Sequence, residues 1–266
     1  MRNARKKAGT AVIALFVLGI VCVSIIVYAK KYGTKAQEEN AEAAGRTDDG
    51  SEPRRTKGFA GESAEDASID FVALREINPD IFAWIHIPDT AIDCPVLQSE
   101  QSDVFYESHN ANKEEDDTGA VYIELANLTN MCDFNTVLHG KAKEGPFADL
   151  YSFADPEFFE EHEYVYLYLD GNVLTYEIFA AYERENTSLI RTYDFTYLSG
   201  CRQFLSDLYG NKDREKNVRE GWENVSGYNY IITLTARKEE NAERQFVVTA
   251  VLVEDAAGTV SRVVAE

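Results

Sequence analysis

YNYIITLTARKEENAERQFVVTAVLV, residues 228–253, holds two runs rich in β-branched and aromatic residues, 230–235 and 246–253, separated by a short charged stretch. Such runs read as two strands joined by a polar loop. Alternation along the first strand puts Thr233, Thr235 and Arg237 on one face, where a reactive or binding group would be displayed.

Working outward, strand-like segments recur at 82–87, 92–97, 119–123, 135–138, 164–169 and 173–181. Pro88-Asp89 and Asp170-Gly171 supply turns, and the alternation in YVYLYLDGNVLTYEIF marks a hairpin. Eight strands with few helices imply a mostly β fold closed into a barrel. Helices are expected at the start of the domain, where Phe71, Leu74 and Ile77 recur at three-residue intervals before Asn78-Pro79, and at 146–151, 156–162 and 197–209. The last lies in a long insert before the 230–235 strand, the kind of connection that carries binding function.

The first residues set the location. Residues 11–29, AVIALFVLGIVCVSIIVYA, run for 19 residues without a charge, enough at roughly 1.5 Å per residue to cross a hydrocarbon core of about 30 Å. We read them as a membrane-spanning helix; the rival is a cleaved signal peptide, whose apolar region usually runs only about 7–15 residues. Arg2, Arg5, Lys6 and Lys7 before the span, against Lys30, Lys31 and Lys35 after it, favour a cytoplasmic N-terminus. Residues 1–10 are then cytoplasmic, 30–66 a polar, disordered extracytoplasmic tether almost without large apolar residues, and 67–266 one extracellular domain facing the cell wall.

The formal net charge of −20 argues against nucleic acid as a partner, because phosphate binding needs a basic face. Cys94, Cys132 and Cys201 are too few to form a disulfide framework in a domain of this size. Glu114 to Asp117 and Glu239, Glu240 and Glu243 are acidic, but no spaced ligand pattern accompanies them, so neither metal nor cofactor is expected.

Several stretches in order resemble the class B sortases, membrane-anchored cysteine transpeptidases that attach surface proteins to the Gram-positive cell wall. They are NPDIFAWI at 78–85, IDCPVLQ at 92–98, TGAVYI at 118–123, NTVLHG at 135–140, FADL at 147–150, the helical insert, and Thr233-Leu234. The resemblance runs from about Phe71 to Val253 and implies a sortase-type eight-stranded barrel, preceded here by the membrane helix.

The resemblance also implies a histidine, a cysteine and an arginine that carry the chemistry, the thiol being acylated by a sorting-signal peptide and then released to an amine. The family's cysteine ends a Thr-Leu-x-Thr-Cys run, which brings Arg237 to its place. Its histidine ends Asn-Thr-x-x-Tyr-Gly-His, which puts His139 where the tyrosine stands and Lys141 where the histidine stands. Its arginine falls on Gln245, with Arg244 one residue earlier. A guanidinium cannot form an acyl-enzyme, so these departures imply a pocket that has lost transpeptidation, with His139 and Arg244 as candidate contributors. Two adjacent cations would repel unless an anion joins them, and Glu144, Asp149, Glu239 or a bound anion such as a peptide carboxylate is the expected partner. Thr233, Thr235, Arg237 and Lys141 are then candidates for a peptide groove.

Three functional classes follow. One is a catalytically inactive surface protein that binds sorting-signal-like peptides or surface proteins, or assists an active sortase, a cell-wall precursor or pilus assembly. Another is an active transpeptidase working through a displaced nucleophile. The third is a structural or interaction domain that retains the barrel for packing alone and binds no peptide from the envelope.

Overall fold

The computed structural model describes residues 69–210, 215–237 and 243–265; the expected span and tether lie outside them, as do Glu239 and Glu240. No helix among the described residues is long and apolar enough to cross a membrane.

The domain opens with helix α1 (Phe71–Ile77), which the Asp70 carboxylate caps by accepting a hydrogen bond from Ala73 N at 2.9 Å. Its three-residue apolar spacing turns Phe71 and Leu74 onto Trp84, Leu97, Tyr106 and Tyr168, so the helix packs on the outside of the strands that follow. Those strands are β1 (Ile81–His86), β2 (Asp93–Leu97), β3 (Val121–Tyr122), β4 (Asn135–Lys141), β5 (Tyr164–Leu169), β6 (Asn172–Glu185), β7 (Lys216–Val218), β8 (Ile231–Arg237) and β9 (Arg244–Asp255).

Around the barrel the order is β5-β1-β2-β3-β4-β8-β9-β6, and β6 returns to β5 to close it. The β2–β3 and β4–β8 pairs are parallel and the remaining pairs antiparallel, so the eight-stranded barrel is mixed. A ninth strand, β7, pairs only with β6 through Ala180–Tyr182 and stands outside the closed ring. Sequence reading missed it because its three residues, Lys216, Asn217 and Val218, carry no apolar alternation.

Ile85, Val96, Leu138, Leu167, Ile232, Leu234 and Val248 fill the barrel interior. On the outer face of β4, β8 and β9, Val137, Ile231 and Val247 are covered by helix α4 (Leu198–Gly210) through Cys201, Phe204, Leu205 and Leu208. That wall is therefore apolar on both sides, as a strand pair buried on both faces must be. The remaining helices are α2 (Pro156–Glu161), with Asp155 as its cap and proline at its first turn, and the short α3 (Leu189–Thr192). The expected helix at 146–151 is a 3-10 helix at Ala148–Ala154. Cys94, Cys132 and Cys201 are thiols; Cys201 is buried and the other two are half-buried.

One contact pins the end of β4. A Cβ on Gly140 would lie 2.6 Å from the ring of Phe147, a fully buried side chain packed inside the barrel. Gly140→Ala should therefore lower unfolding free energy by about 1–3 kcal/mol, the usual range for overpacking a core. Denaturant unfolding checks this, and a variant as stable as the parent would mean that Phe147 can move.

Candidate functional site

The parallel β4–β8 ladder aligns His139 with Thr235 and Lys141 with Arg237. Because side chains alternate, Leu138, Leu234 and Ala236 enter the barrel core while His139, Lys141, Thr235 and Arg237 line a cleft on the outer wall. Gln245 of β9 completes the floor. Residues 186–189, just after β6, form one side, and Glu107, Tyr122 and Glu124 form the other. The cavity measures about 150 Å³.

Arg237 forms an ion pair with Glu107 of the 3-10 helix Phe105–Glu107, each side chain roughly one-third exposed. Tyr122 stands beside the same carboxylate; burial first, and then the charge of Glu107, push its phenol pKa up. Lys141 Nζ donates to the Asp117 carbonyl at 2.7 Å. The repulsion expected between the two cations is thus answered by Glu107 and a backbone oxygen. Asp149, one of the expected partners, instead accepts from Ala91 N at 2.6 Å on another part of the surface.

His139 has a different set of neighbours. Its Nδ1 lies 3.0 Å from Thr235 Oγ1, and its buried Nε2 makes a bent contact of 3.3 Å with Glu124 Oε1. The Tyr122 ring stacks on the imidazole at a centroid distance of 5.1 Å and an interplanar angle of 24°. The close contact with His139 holds the Glu124 carboxyl below the usual carboxylate range despite the opposing effect of burial, and the charges of His139 and of Arg191 in α3 add to the shift.

Gln245 is buried, and its Nε2 donates to the Thr187 carbonyl at 3.1 Å and more weakly to Glu185 O at 3.4 Å. Arg184 donates to Thr187 O and Oγ1 at 2.6 and 3.0 Å, so the two side chains together fix the segment that walls the cleft. Arg244 lies outside the cleft, with Nε 3.1 Å from Glu183 Oε2. Thr233 is fully buried below the cavity and donates to Asn135 Oδ1 at 2.9 Å, tying β8 to β4.

The fold thus brings Lys141, Arg237, Gln245, His139 and Thr235 together and leaves Thr233 and Arg244 outside the cavity. Glu107, Tyr122 and Glu124 were not legible as site residues. Glu124 follows the VYI strand directly, but only the β3–β4 pairing, with Tyr122 opposite His139, reveals that it reaches the imidazole.

No protein-family model matches the chain. It is 34% identical to sortase B of Listeria monocytogenes over 178 residues, which cover 64% of this chain and 68% of that protein. With sortase B of Staphylococcus aureus it shares 26% identity over 188 residues, covering 69% and 74% of the two chains. Among solved structures, sortase B of Clostridium perfringens superposes with a TM-score of 0.60 at 28% identity, over 69% of this chain and 99% of that one. A substrate complex of S. aureus sortase B gives a TM-score of 0.58 at 26% identity, over 69% and 84%. The closed mixed barrel is thus a fold shared with a class of solved proteins. The chain belongs to the sortase B family.

The depressed Glu124 pKa gives a stability signature of known sign. A carboxylate whose folded pKa lies below its unfolded value of about 4.3 stabilises the fold fully above that value and loses the contribution as pH falls through the lowered pKa. The stability difference between the parent and Glu124→Gln should therefore be present near about pH 7 and close toward about pH 3. Urea unfolding across that range measures it, and a gap independent of pH would mean that the Glu124 charge is not what stabilises the site.

Proposed function

We propose that this chain is a membrane-anchored sortase B homologue that does not carry out cysteine transpeptidation and uses its cleft to hold a sorting-signal-like peptide. The observation that carries the reading is that Lys141, Arg237 and Gln245 meet in one cleft, at the three positions where the family resemblance expects histidine, cysteine and arginine. Acyl transfer by a thiol needs a thiolate, a base or cation that stabilises it, and a donor for the oxyanion. Arg237 offers no nucleophile, Lys141 is engaged with Asp117 O, and Gln245 spends its amide on Thr187 O. Cys94, Cys132 and Cys201 do not line the cavity.

Peptide binding remains compatible with this arrangement. The cleft is walled on both sides, and strand β8 ends in it with Thr235 and Arg237. The S. aureus relative is solved as a substrate complex, which motivates the choice of ligand class. On this reading residues 11–29 anchor the protein, residues 30–66 tether it, and the domain acts outside the membrane as a receptor or as an assistant to an active sortase.

The test incubates the full-length protein in detergent with sorting-signal-like peptides and an amine acceptor, followed by mass spectrometry and a calorimetric titration. Saturable binding with no adduct and no cleavage is expected, weakened by Arg237→Glu. A peptide adduct or a cleaved peptide sinks the proposal. Combining Lys141→His, Arg237→Cys and Gln245→Arg should give a thioester adduct that none of the single variants gives.

A further inference from the structure

We infer that Thr235, His139 and Glu124 form a hydroxyl–imidazole–carboxylate relay that cleaves small acyl esters, an oxygen-based activity housed in the cleft where the family resemblance expects a thiol. The inference starts from hydrogen-bond polarity. Glu124 is held ionised, so the nitrogen facing it, Nε2 of His139, carries the proton. In the neutral ring Nδ1 is then a lone pair, and the Thr235 hydroxyl at 3.0 Å is its donor. This ordering is what a hydroxyl nucleophile requires: a base within about 2.6–3.2 Å and a third group that fixes the tautomer of the base.

The surroundings support the same chemistry. Stacking on Tyr122 restricts rotation of the ring, and the β4–β8 register sets His139 and Thr235 side by side on rigid strands rather than on loops. Two residues further along the same strands, Arg237 and Lys141 add positive charge to the cleft while paired with Glu107 and the Asp117 carbonyl, and that field favours a developing oxyanion over a neutral ester.

The cavity of about 150 Å³ has Val104, Ala120, Val137 and Leu189 in its walls and matches the size of an apolar cavity that admits a benzene-sized group. That volume suits a short acyl chain. An ester is favoured over an amide because an alcohol leaves more readily than an amine.

In the first step Thr235 Oγ1 bonds to the ester carbonyl carbon while its proton passes to His139 Nδ1. The tetrahedral adduct then collapses, the carbon–oxygen bond to the alcohol breaks, and the alcohol leaves with the proton from His139. Water repeats the sequence against the acyl-threonine, giving its proton to His139, releasing the carboxylic acid and returning the proton to Thr235.

The experiment follows hydrolysis of p-nitrophenyl acetate by the full-length protein in detergent, with peptide mapping of quenched samples. An acetyl group on Thr235 is expected. Thr235→Val and His139→Gln should each lower the rate by about 100-fold, the scale of a lost general base. Thr235→Ser should retain activity, and replacing Cys94, Cys132 and Cys201 together by serine should leave the rate unchanged. Glu124 acts through His139 as a positioning residue, so Glu124→Gln should move the midpoint of the pH–rate profile as well as lower the plateau. Each variant is scored only after it shows the cooperative unfolding of the parent. Hydrolysis insensitive to Thr235→Val and His139→Gln, acetylation confined to lysines or cysteines, or no turnover by the folded parent and Thr235→Ser proteins would each overturn the relay and leave His139 a packing residue.

Discussion

The parallel register of β4 on β8 is the constraint on which the rest depends. Seven consecutive pairs, from Asn135 with Ile231 to Lys141 with Arg237, join strands almost a hundred residues apart in the chain. Without that ladder the barrel would open between β4 and β8. With it, alternation sends Leu138 and Leu234 inward and sets His139 against Thr235 on the outer wall. A slip of one residue would turn the cleft residues into the core and the core residues into the cleft, so packing and site geometry are specified by the same pairing.

Burial on both faces is what makes that register firm. Outside the barrel, α4 and the buried aromatic residues around Phe204 cover Ile231 and Val137. Three polar side chains on this wall are answered locally: Thr233 reaches Asn135, Thr235 reaches His139, and Gln245 reaches Thr187. Each is a buried group that would cost about 1–3 kcal/mol if left without a partner, so the cleft is also a structural seam.

The architecture was legible in the sequence where periodicity was strong. The eight barrel strands and the helices at 71–77 and 198–210 stand out because apolar residues repeat at strand or helix spacing. The three-residue β7, the four-residue α3 and the 3-10 helix at Phe105–Glu107 do not, since each is too short to show a period. The consequence for the site was specific. Lys141, Arg237 and Gln245 were singled out through the family resemblance, whereas Glu107 and Glu124 reach the cleft through long-range packing. The expectation of an anion beside Arg237 followed from Coulomb repulsion alone, but the partner is Glu107, which was not among the expected Glu144, Asp149 and Glu239 and which only the fold brings there.

The charges in the cleft constrain which residues can stand together at 141, 237 and 245. Lys141 and Arg237 face each other across one ladder rung, so their like charges repel, the more strongly as water is excluded from between them. Glu107 and the Asp117 carbonyl offset that repulsion. A third cation at position 245 would face a cleft whose acceptors are already engaged, and its burial would add a desolvation penalty to the repulsion. A neutral glutamine there keeps the floor hydrogen-bonded to Thr187 and removes that charge. With a guanidinium at 237, a partner carboxylate at Glu107 and a neutral residue at 245 are the arrangement that electrostatics favours, and His139 and Thr235 pair with each other beside it.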